Sequence, residues 1–94
     1  MRRQSSKRAA IADERRTFVA DVLARRPWCE WPGCNLRAVD VDEKRNRSQG
    51  SPIVPSEGLA DGDVNVLCRE HHSYKTDHMA EAVELGLARW GMRR

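Results

Sequence analysis

At 94 residues, with 39% hydrophobic, 5% aromatic and 33% charged content, the chain has room for one domain with a thin core, the kind a bound metal or a partner usually reinforces. No apolar run approaches the roughly 20 residues of a membrane span and no signal-peptide pattern follows the basic start, so the expected compartment is the cytoplasm, the host cytoplasm if the gene is a phage's. Net charge is only +3, but residues 1–26 carry eight Lys/Arg against three acids while the remainder carries nine against eleven, an asymmetry that fits a polyanion such as nucleic acid and equally a solvated Arg-rich helix.

The first segment, "SSKRAAIADERRTFVADVLAR", predicts a helix. Ser5 or Ser6 caps its start, and Ile11, Phe18, Val19, Val22 and Leu23 recur at helical spacing. Pro27 ends it by restricting Arg26. Its apolar stripe should dock on the rest of the chain and leave the Arg-rich face in solvent. Residues 1–26 thus form a basic N-terminal helix, and residues 27–94 form the domain beneath it.

"PWCEWPGC" cannot be helical throughout, because Pro32 and Gly33 fall between its cysteines and signal a turn. It reads as a knuckle that brings Cys29 and Cys34 together. "RAVDVDE" alternates Val39 and Val41 with Asp40 and Asp42, the pattern of a short half-buried strand. A loop rich in Arg, Ser, Gly and Pro follows, with room for a brief extended return at Ile53–Val54. "DVNVLC" alternates again, "REHHSYKTDH" has no breaker and reads as a short helix, and "MAEAVELGLARW" reads as another. In the last, Met79, Ala82, Val83 and Leu87 face inward and Gly86 is the C-terminal stop. Trp28, Trp31 and Trp90 are expected mainly as packing residues, and His78 as a surface residue.

A cytoplasmic chain makes little use of disulfides, so its three cysteines point to a metal or to buried thiols. Cys29-x4-Cys34 and Cys68-x2-His71 are two ligand pairs, one on a knuckle and one at a helix start, and together they supply the four S/N donors of tetrahedral zinc. A redox dithiol would leave the third cysteine and His71 unexplained. With His71 turned to zinc, its neighbour His72 points about 100° away. Asp42 and Glu43 close the first strand with side chains on opposite sides, so one of them can meet His72 if strand and helix lie together, forming an O,N site for a divalent ion.

The knuckle, the strand closing on two acids, "RNRSQGS" and "VLCREHHSYKT" together resemble the small HNH endonucleases of the ββα-metal type, particularly those common in bacteriophage genomes. The resemblance covers residues 27–78. It implies an α+β fold, a zinc-stapled ββα-metal domain with an added N-terminal and C-terminal helix. It implies a structural Zn²⁺ on Cys29, Cys34, Cys68 and His71, with a catalytic Mg²⁺ or Mn²⁺ on Asp42 and His72. The motif's central position falls on Asp63, with Asn65 as a slipped alternative.

Where the family usually carries a histidine as general base, this chain has Asp42 and Glu43. Either Glu43 takes the base role, or the site binds metal poorly and turns over slowly. Thr76 stands where many members place a further ligand. The implied activity is hydrolysis of DNA phosphodiesters, with Lys44, Arg45 and Arg47 as expected backbone contacts and Lys75 as either another contact or plain surface. The large terminase subunit of a phage packaging system is an implied partner. The alternative is a zinc-stapled module that binds DNA or the terminase and whose catalytic site has decayed.

Overall fold

A computed structural model describes residues 6–45 and 50–89. The described residues form three α-helices and a two-stranded antiparallel sheet in the order α1 (Ser6–Arg25), β1 (Asp40–Glu43), β2 (Val64–Leu67), α2 (Arg69–Asp77) and α3 (Met79–Glu84). No helix among them is long and apolar enough to cross a membrane. The expected cap Ser5, the loop residue Arg47 and Trp90 lie outside the described residues.

Two clusters of apolar side chains lie on the two faces of the sheet. Val22 of α1 is fully buried against Ala38, Val41, Leu59, Val64 and Val66, with Phe18, Val19 and Leu23 packed around it. The other cluster joins Leu67 to Cys29, Trp31, Cys68, Ala82, Leu87 and Ala88, with Met79 and Val83 beside it. All four residues of β2 are therefore buried, although their alternation reads as half-buried from the sequence alone. Two covered faces explain the difference, because alternate side chains of one strand enter different clusters. β1 is the outer partner. Its Val41 is buried, whereas Val39, expected to point inward with it, is 49% exposed.

Helix α1 runs as expected, but its Arg-rich face is not simply left to solvent. The Arg15 guanidinium lies 2.8 Å from Glu43 Oε2 and donates to the Ile53 carbonyl. Arg26 forms a paired contact with Glu30 and donates to the Val64 carbonyl, while Arg25 and Arg26 both meet Asp61. Glu14 accepts from both the amide and the hydroxyl of Ser56. Acids and carbonyls spread through the domain thus clamp the helix through arginines that its charge pattern alone would leave in solvent.

The knuckle turns where Gly33 adopts φ 84° and Cys34 N–H bonds the Trp31 carbonyl. No return strand forms at Ile53–Val54. Val54 is an extended, fully buried residue leading into a 3₁₀ turn at Pro55–Glu57, because its side chain is drawn into the interior while Pro55 starts the turn. The final helix stops before Gly86, which takes φ 78°. Trp31 packs inside, but Trp28 is 58% exposed beneath the Arg37 guanidinium.

Leu67 is fully buried, so Leu67→Ala should lower unfolding free energy by about 2–5 kcal/mol in urea titrations, whereas Val39→Ala should change it by less than about 0.5 kcal/mol. Acid should also weaken the fold. The Arg25 guanidinium holds the Asp61 carboxyl below the ordinary carboxylate range, and the Ala60 amide followed by Arg89 does the same for Asp63. A depressed folded-state value contributes stability above the unfolded pKa of about 3.9 and loses it as pH falls through the folded value. Thermal melts should therefore drop below about pH 4, and Asp63→Asn should flatten that part of the curve.

Candidate functional site

The junction between β2 and α2 organises the site. Cys68 directly follows the strand, occupies the N-cap of α2 and accepts from the His71 amide. Helical geometry then brings His71 back beside it, with Sγ and Nδ1 3.4 Å apart. From the knuckle, Cys29 Sγ lies 3.7 Å from His71 Nδ1 and Cys34 Sγ lies 4.0 Å from Cys68 Sγ. One donor atom from each of the four residues falls within 4.8 Å of all the others, and no disulfide links the cysteines.

Donors held at 2.0–2.3 Å around one tetrahedral zinc would lie roughly 3.5–3.8 Å apart, so the cluster could take that ion with small adjustments. Four protein donors would leave a zinc ion there no open position, the arrangement of structural rather than catalytic zinc sites. Trp31 stacks on the His71 ring with centroids 5.1 Å apart and planes 2° from parallel, fixing its orientation. Burial pushes the Cys29 thiol up. Burial acts on Cys68 in the same direction, but hydrogen bonds led by the His71 amide outweigh it and bring that thiol down.

His72 turns away from this cluster toward β1. Its Nδ1 lies 3.0 Å from Asp40 Oδ2 and its Nε2 lies 3.5 Å from Asp42 Oδ1. A carboxylate only accepts, so the contact to Asp40 requires the proton on Nδ1. Nε2 then faces a second acceptor, Asp42 Oδ1. Two neighbouring donors at about 2.1–2.2 Å from one octahedral ion lie roughly 3.0–3.1 Å apart, so this pair would have to close by about 0.4 Å to share one. Asp40 would then be the carboxylate that orients a ligating histidine from its far nitrogen.

Other side chains hold Asp42 in position. Its register partner on β2 is Asn65, a fully buried residue that donates from Nδ2 to Asp42 Oδ2 and to the Leu87 carbonyl. Lys75, one turn beyond His72 on α2, brings Nζ to 2.8 Å from the same Asp42 oxygen. It is 5% exposed, so neither expected role for it, solvent-facing contact or plain surface, matches its position. A lysine one turn from His72 shares the helix face that packs on β1, and Asp42 compensates its charge there. Arg69 pairs with Asp40 from the exposed side.

Glu43 and Asp63 stand apart from this group. Glu43 alternates to the opposite face of β1, where Arg15 engages it, so it is not brought to His72 as a base. Asp63 closes a 3₁₀ turn at Asp61–Asp63, accepting from the Ala60 amide and from Arg89. Of the two central positions considered, Asn65 rather than Asp63 meets Asp42. Arg45 opens onto a cleft of about 140 Å³ whose other walls include Ser51, Asp63 and Arg89, whereas His72 borders a separate shallow hollow with Arg69, Ser73 and Thr76. The Lys44 backbone bonds Asp63 and Arg89. Thr76 donates to the His72 carbonyl, and His78 is exposed and stacked on Tyr74.

Asp40 is the member that sequence reasoning passed over. Its signal was present: residues two apart on a strand share a face, so Asp40 and Asp42 had to point together while Glu43 could not join them.

Freshly purified protein should carry one zinc per chain by elemental analysis, and Cys68→Ser should abolish it; wild type free of zinc would sink this site. Chelation should remove cooperative unfolding, since zinc binding of the order of 10 kcal/mol far exceeds what a thin core supplies. Comparison of the chain with protein-family models, with curated proteins and with solved structures found no match.

Proposed function

We propose that the chain is a metal-dependent DNA endonuclease of the HNH type, and the observation that carries this reading is the Asp40–His72–Asp42 arrangement. It lies on an antiparallel hairpin followed by a helix, and that helix is tied at its start to a Cys₃His cluster. The order of these parts agrees with the resemblance read from residues 27–78.

In this reading Asp42 Oδ1 and His72 Nε2 are the ligands of the catalytic ion. A hard divalent ion such as Mg²⁺ or Mn²⁺ would supply a Lewis acid for the scissile phosphate and lower the pKa of the attacking water. Asp40 holds the His72 ring so that Nε2 is presented, and Asn65 holds Asp42 so that Oδ1 is presented. Lys44, Arg45 and Arg47 supply backbone contacts that carry little sequence preference. The large terminase subunit is the proposed partner that directs the enzyme to its DNA. The engagement of Glu43 by Arg15 leaves no carboxylate in a base role and favours the second reading, a zinc-stapled module that binds DNA or the terminase without cutting.

A supercoiled-plasmid assay with Mg²⁺, Mn²⁺ or neither separates the two. Wild type should nick only with metal, and His72→Ala and Asp42→Ala should each lose about a hundredfold or more, the scale of a group needed for water activation. Glu43→Gln should keep most of the nicking rate. A silent wild type, or a His72→Ala variant as active as wild type, rejects the endonuclease in favour of the binding module.

A further inference from the structure

Lys75 is the only charged residue buried among the described residues, and its ammonium is set directly on the proposed ligand Asp42. Burying an ammonium is costly unless an anion compensates it, so the ion pair is needed to keep this side chain inside. Around His72 the charges then cancel: Asp40 is paired with Arg69, and Asp42 with Lys75. A divalent ion entering between Asp42 and His72 meets a neutral environment with a fixed positive charge beside it. A phosphodiester adds the negative charge that such a site lacks.

We propose that Lys75 is a resident counter-cation of Asp42, positioning its carboxylate and keeping the site from retaining a divalent ion until a DNA phosphate supplies compensating charge. This rests on the endonuclease reading for the identity of the ion and of the anion. Metal and DNA then bind cooperatively, and by linkage each strengthens the other by the same factor. The buried ammonium and Asn65 share Oδ2, which leaves Oδ1 as the free ligand atom of Asp42. Lys75 acts through Asp42, so it is a positioning residue.

The test is Mn²⁺ binding to the full, zinc-loaded chain, followed by the paramagnetic resonance of free Mn²⁺, with and without a short DNA duplex and with a duplex-only blank. Wild type should bind Mn²⁺ about tenfold or more tightly when the duplex is present. Lys75→Gln and Lys75→Met should bind it about tenfold or more tightly than wild type without DNA, and should lose most of the enhancement by DNA. Variants with affinity equal to or below that of wild type overturn the proposal. The wild-type comparison decides alone if the variants do not fold: equal Mn²⁺ affinity with and without duplex, or no Mn²⁺ binding in either state, overturns it too. Plasmid nicking keeps the two readings distinguishable. Nicking by wild type with unchanged Mn²⁺ affinity in Lys75→Gln removes the counter-cation alone. Tighter Mn²⁺ binding by that variant without nicking by wild type removes the endonuclease alone.

Discussion

The dependence of α2 on Cys68 governs the rest of this small protein. A nine-residue helix is too short to persist in water on its own, since nucleation is costly and few hydrogen bonds repay it. Here its first turn is held by a cysteine that follows the strand, caps the helix and belongs to the Cys₃His cluster, and the knuckle adds two more members of that cluster from a distant part of the chain. Anchoring the helix start sets the rotation of the whole helix. His71 is turned to the knuckle, and His72 and Lys75 are turned to β1.

The same hairpin sorts its charges between two environments. On one face, Asp40 and Asp42 meet the histidine, lysine and arginine of α2; on the other, Glu43 meets Arg15 of α1. Three acids within four residues would repel one another if left on one side. Strand alternation divides them, and each side provides its own cations. The division also links distant segments, because α1 and the Arg26 that follows it are clamped through Glu43, Glu30 and Asp61 to parts of the domain that the apolar stripe of α1 does not reach. A chain with 39% hydrophobic residues thereby spreads its stabilisation over ion pairs and donors as well as apolar burial.

Much of this was legible in the chain because it depends on local chemistry. The pairing of Cys29-x4-Cys34 with Cys68-x2-His71, the turn at Pro32–Gly33, the stop of α1 and the divergence of adjacent histidines all follow from spacing and backbone preference. The four donors do converge as that spacing predicts. Strand alternation also required Asp42 and Glu43 to separate, though it did not say which of them would face α2.

What the sequence by itself determined was the set of elements, the Cys₃His grouping and the opposed outlooks of His71 and His72, since each is fixed by neighbours a few residues away. Tertiary structure alone decided that Asp40 completes the group around His72, that Asn65 rather than Asp63 supports Asp42, that Glu43 belongs to α1, and that Lys75 is buried. Each of these depends on which face of β1 is covered by which helix. That is a long-range packing outcome, and a charged residue carries no local mark of whether an opposite charge will arrive to compensate its burial.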